Sequence, residues 1–109
     1  MVIQQDFRQE KKDITRNESV AVSTTSLQLA SNMNGKGGRR NIIIRNTSPN
    51  AIDIITITRG RNVAVAGAGI VLNQGEIWYD STDLNSVCWQ YEIQGICATI
   101  NGTVSISEE

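Results

Sequence analysis

Histidine is absent from this chain of 109 residues. That removes imidazole acid–base catalysis, Ser-His-Asp triads and His-ligated metals. Only two cysteines occur, Cys88 and Cys97, and without histidine they make a poor zinc set. Aromatic residues are 5% and charged residues 19%, with a net charge of −1, so bulk charge draws the chain to neither nucleic acid nor membrane. No apolar run approaches the ~18 residues that mark a membrane-spanning helix. The opening MVIQQDFRQEKKD has no apolar stretch of the signal-peptide kind, so synthesis in a cytoplasm is expected. A turn at Gln94-Gly95 would set Cys97 opposite Glu92, out of step with Cys88, and two buried free thiols are expected rather than a disulfide.

What is present reads as β structure. From Ser19 the hydrophobic period is two, and Gly, Asn, Asp and Ser separate short runs. RNIIIRN and AIDIITIT are the strongest strands, because β-branched residues suit a pleated surface. They flank the turn-like stretch Asn46-Thr47-Ser48-Pro49-Asn50. VCWQYEI, ICATI and TVSIS follow, and the Asn101-Gly102 pair between the last two is a strong hairpin signal. The expectation is one all-β domain over residues 19–109, an antiparallel β-sandwich of jelly-roll-like kind. Residues 1–18 carry four bases and four acids among few apolar groups. They are expected to form an extended N-terminal arm that orders against a partner.

Strand phase then raises the question of surplus apolar surface. If Ile42 and Ile44 face a core, Ile43 points away. In a hairpin about Asn101-Gly102, Cys97, Val104 and Ile106 form a core face, which leaves Ile96 and Ile100 outside. Around Ile54 and Ile55 the phase slips as at a β-bulge. Either the sandwich alternates imperfectly, or a neighbouring subunit covers Ile43, Ile55, Ile96 and Ile100 as an interface. The second is expected, and with it an oligomer.

Charge is segregated as well. Residues 36–61 hold Lys36, Arg39, Arg40, Arg45, Arg59 and Arg61 against Asp53, a sum of +5, while residues 62–109 hold six acids and no base. Pairing of the two isoleucine-rich strands would gather Arg39, Arg40, Arg59 and Arg61 into a basic interaction cluster. Such halves complement one another between subunits or dock on an acidic surface; solvated loop ends are the plainer account.

Signals for chemistry are weak. Asp80 and Asp83 lack the spacing of a calcium loop. NGKGGRRN is not a phosphate-cradling motif and no helix signal follows it. Trp78 and Tyr79 could stack on a sugar, and Asn46 and Asn101 head N-x-S/T sequons. The sequence points to a non-enzymatic protein with no metal, cofactor or small-molecule substrate, and makes nucleic acid an unlikely partner.

RRNIIIRNTSPNAIDI, GAGIVLNQGEIWYDS and ICATINGTVSISEE together resemble the small virion proteins of tailed bacteriophages. The positions that carry the likeness are Arg40, Ile42, Ile44, Asn46, Ser48, Ile52 and Ile54, then Gly69, Ile70, Leu72, Gly75, Trp78 and Tyr79, then Val104, Ile106 and Glu108. It departs at Asp53, where those proteins often have tyrosine. The resemblance implies a β-sandwich, commonly a homotrimer, that sits in the virion as a capsid decoration or cement protein on the major capsid protein. A tail, baseplate or fibre component is the alternative. Within that expectation the arm is the docking element, with Val2, Ile3 and Phe7 as its apolar anchors and Arg8, Lys11 and Lys12 among its charges.

Overall fold

β-branched side chains lose little by lying on a pleated sheet, and this chain concentrates them in short runs. The computed structural model describes residues 15–35 and 38–109. It turns those runs into eight strands, with no helix among the described residues. They are β1 (Arg16–Val22), β2 (Leu27–Ala30), β3 (Asn41–Asn46), β4 (Ile55–Arg59), β5 (Ile70–Leu72), β6 (Ile77–Ser81), β7 (Ile93–Cys97) and β8 (Gly102–Glu108). The expected arm lies largely outside the described residues. Arg16, Asn17 and Glu18, read as its end, are the first residues of β1.

Two four-stranded antiparallel sheets form, one ordered β1-β8-β3-β6 and the other β2-β7-β4-β5. Only the β4–β5 connection stays within a sheet; the other six pass between sheets. This is the strand order of an eight-stranded jelly roll, so the all-β sandwich read from the sequence is correct. Connections 23–26, 47–54, 73–76 and 98–101 lie at one end of the sandwich, here the short-loop end. Connections 31–40, 60–69 and 82–92 lie at the other, the long-loop end.

The core is what the alternation of the strands demands. Ile42 and Ile44 of β3, Val104 and Ile106 of β8, Ile55 and Ile57 of β4, and Ile93 and Cys97 of β7 are buried between the sheets. Burying an isoleucine in this way contributes roughly 1.5–3 kcal/mol. Ile55 therefore belongs to the chain's own core and has no surface to offer a second subunit. The phase slip beside it is no bulge: Ile54 closes the loop with its N–H on the Ile52 carbonyl at 2.9 Å, and β4 starts one residue later.

Three expected hairpins are not formed. β3 and β4 occupy different sheets, so the isoleucine-rich pair is a crossover between layers. β7 runs straight through Gln94-Gly95, pairing with β2 and β4. β7 and β8 also lie in different sheets, so Asn101-Gly102 closes a crossover and leads into β8. Both glycines are there for close approach. A Cβ on Gly95 would fall 2.4 Å from a methyl of Leu29 on the neighbouring strand β2. One on Gly102 would fall 2.6 Å from both the Cys97 sulfur and the Val22 carbonyl.

Candidate functional site

The long-loop end is organised by Arg39. Only 3% of its surface is accessible, and each nitrogen of its guanidinium has an acceptor. Nε donates to Glu108 Oε2 at 2.6 Å, Nη1 to the Trp89 carbonyl at 2.7 Å and Nη2 to the Ser31 carbonyl at 2.8 Å. The other Glu108 oxygen accepts from Arg16 Nη1 at 3.1 Å. Gln90 completes the clasp by accepting from the Arg39 N–H and donating to the Arg39 carbonyl, each at 2.6 Å. A buried charge costs several kcal/mol unless it is paired and hydrogen-bonded, and here it is both. The clasp ties β1, β8 and two long loops together; it is architecture.

The expected basic cluster is consequently split. Arg39, Arg40, Arg59 and Arg61 do reach the same end, because β3 starts there and β4 finishes there. Arg39 is internal. Arg61 pairs with Glu92 at 3.2 Å. Arg59 lies on the Trp89 ring, 5.3 Å from its centroid. Arg40 is exposed at the head of β3. The segregated charge halves of the sequence thus meet inside one chain, as Arg39 with Glu108 and Arg61 with Glu92.

A second clasp closes the short-loop end. Asn46, fully buried, donates to the carbonyls of Asp53 and Leu72, both at 2.9 Å, and accepts from the Ser48 N–H at 2.9 Å. Asp53 is buried beside it and accepts from the Asn50 N–H at 3.1 Å and the Thr99 hydroxyl at 2.5 Å. Burial takes Asn46 out of reach as a glycosylation acceptor. Neither clasp is legible in the sequence, since partners such as Arg39 and Glu108 stand far apart along it.

The remaining candidates fall on opposite faces. Ile43 is half-buried on the outer face of the β1-β8-β3-β6 sheet, directly across from Tyr79 of the edge strand β6. Ile96 is half-buried on the outer face of the other sheet. Ile100 stands exposed at the short-loop end with Ile52. Trp78 packs against the core while Tyr79, one residue on, points outward, as strand alternation requires. The two cannot form one sugar platform. Val2, Ile3, Phe7, Arg8, Lys11 and Lys12 lie outside the described residues.

Among the described residues, no group of three or more His, Cys, Asp or Glu side chains is placed to hold a metal ion. Asp80 accepts from the Trp89 N–H at 2.9 Å. Asp83 accepts from the N–H groups of Asn85 and Ser86, at 2.8 and 2.9 Å, and from the Ser86 hydroxyl. The Asn85 N–H is the first cause, and the Ser86 bonds the next, of an Asp83 pKa below the ordinary carboxylate value. Both cysteines are free and buried. Desolvation first, and the Asp80 charge second, push the Cys88 thiol up to about 11.

What the arrangement offers is surface. Leu84 and Val87 project from the 82–92 loop, and Val63 and Val65 from the 60–69 loop. The 60–69 loop also lies across the outer face of its sheet: Gly67 N–H donates to the Thr56 hydroxyl at 3.0 Å, Gln94 Nε2 to the Gly60 carbonyl at 3.2 Å, and Ala64 N–H to the Ser26 hydroxyl at 2.8 Å. That cover buries Thr56 on a face where alternation alone would expose it. No family model matches this chain, and no curated protein or solved structure matches it either.

Proposed function

We propose that this chain is a non-enzymatic structural protein of a tailed-bacteriophage virion, in the first place a capsid decoration or cement protein that docks on the major capsid protein as a homotrimer. The observation that carries the reading is a jelly roll, an architecture shared by viral capsid and lectin domains, that leaves large apolar side chains exposed at both ends. Ile52 and Ile100 stand out at the short-loop end, Leu84 and Val87 at the long-loop end, and Val63 and Val65 on the 60–69 loop where it lies across the outer face of its sheet. Exposed apolar groups gathered on particular loops mark contact surfaces, whereas single scattered ones are ordinary. The phage-like sequence positions support the same reading, and several of them now have a physical role: Ile42, Ile44, Leu72, Val104 and Ile106 fill the core, while Asn46 and Glu108 hold the two clasps.

The test is location in the particle. Cryo-electron microscopy of purified virions should place the domain on the outer capsid surface. Density at the tail, baseplate or fibre would favour that alternative, and absence from the particle would overturn the proposal. Assembly is tested separately. Sedimentation should give a species near three times the 11.9 kDa chain, and Ile43→Asp or Ile100→Asp should weaken it more than Arg45→Ala does.

A further inference from the structure

The cleft beside Trp89 holds a charge that the rest of the fold does not use. Arg39 and Arg61 face Glu108 and Glu92. Arg59 forms no ion pair among the described residues; its guanidinium rests on the Trp89 ring. That ring is itself fixed. Trp89 Nε1 donates to the Glu92 carbonyl at 3.0 Å, and the Trp89 backbone N–H donates to Asp80 at 2.9 Å. Tyr91 meets it edge-on, with centroids 5.3 Å apart and planes at 71°. A planar cation laid on an immobile indole gives up little freedom when it takes an anion. Next to it opens a cleft of about 380 Å³, within the range of small-molecule sites. Its walls are apolar at Ala68 and Ile70, with Thr58 as the polar group beside Arg59.

We propose that this cleft binds a monosaccharide bearing a carboxylate, of the uronate or sialate class. The guanidinium fork matches a carboxylate in a two-bond pairing. Ala68, Ile70 and the indole take the C–H face of the ring, and the Thr58 hydroxyl bonds a ring hydroxyl. A bare inorganic anion leaves the apolar walls unused. An acidic peptide side chain brings the carboxylate on a narrow flexible stem and leaves them equally uncovered. The site is separate from Trp78 and Tyr79, and it does not depend on the virion reading: a sugar-binding jelly roll carries it whether or not the chain belongs to a particle.

Titration by ligand-observed NMR tests the proposal, using glucuronate, N-acetylneuraminate, glucose, sulfate and a glutamate-rich peptide against the whole chain. At least one acidic sugar should bind, with glucose weaker by about tenfold or more, the loss expected when a charge-assisted pair is removed. Arg59→Met should weaken the acidic sugar by about the same factor, while Arg61→Met, which removes an exposed charge two residues further along the chain, should change it less than about twofold. If Arg59→Met fails to fold, Ala68→Glu sets a carboxylate on the exposed wall of the cleft and should abolish binding. The proposal is overturned if neither acidic sugar binds at tens of millimolar, if glucose binds as well, or if Arg61→Met costs as much as Arg59→Met. Tighter binding of sulfate or of the peptide overturns the sugar assignment.

Discussion

Replacing Arg39 with methionine removes the centre of the long-loop clasp while keeping most of the side chain's bulk. Three things change at once. Glu108, buried and with 6% of its side chain accessible, keeps only Arg16. The carbonyls of Trp89 and Ser31 lose their donor. The 31–40 and 82–92 loops lose their shared anchor. Stripping one partner from a buried ion pair costs about 3–5 kcal/mol, and each orphaned carbonyl that water does not reach adds to it. A chain of this size is stabilised by about 5–15 kcal/mol in all, so a loss near 4 kcal/mol should lower the thermal midpoint by roughly 15–25 °C. Urea unfolding followed by tryptophan fluorescence measures it, since Trp89 sits at the clasp. Arg40→Met is the control next door; Arg40 is exposed and should change stability by less than about 0.5 kcal/mol. Glu108→Gln alone should also destabilise, and combining it with Arg39→Met should cost less than the sum, because no unpaired charge is then left buried. A loss below about 1 kcal/mol for Arg39→Met, or strict additivity in the double variant, would refute the clasp as a coupled unit.

Further outcomes follow from the same geometry. Gly102→Ala should destabilise by about 1–3 kcal/mol, as overpacking does, because the new methyl meets the Cys97 sulfur and a backbone carbonyl; equilibrium unfolding with an unchanged denaturant slope checks it. Asn46→Ala should cost roughly 2–4 kcal/mol by orphaning the Asp53 and Leu72 carbonyls and the Ser48 N–H, and calorimetry reads the loss. Neither cysteine should react with a thiol reagent near pH 8 until denaturant is added, when both should. The Cys88 thiol ionises at about 11 when folded against 9.0 in the open chain. The unfolded state therefore releases its proton first, and stability should fall as pH rises from 9 towards 11; a flat midpoint across that window would rule out burial as the cause.

Strand existence was legible from residue types alone. The alternation in β3 named Ile42 and Ile44 as core, and that in β8 named Val104 and Ile106, because a strand's two faces differ whatever it pairs with. Partnership was not legible. Pro49, Gly95 and Asn101-Gly102 all read as local turns, yet each belongs to a jelly roll whose strands cross between sheets. Two of the glycines answer to groups remote in sequence, the Leu29 side chain against Gly95 and the Val22 carbonyl against Gly102. Arg39 shows the same division: its neighbours made it look like an exposed base in a cluster, and Glu108 made it internal. A period of two is a property of a few consecutive residues. Which strand lies alongside, whether a glycine is a hinge or a gap, and whether a charge meets water or its counter-ion depend on contacts that exist only once both sheets have closed on one another.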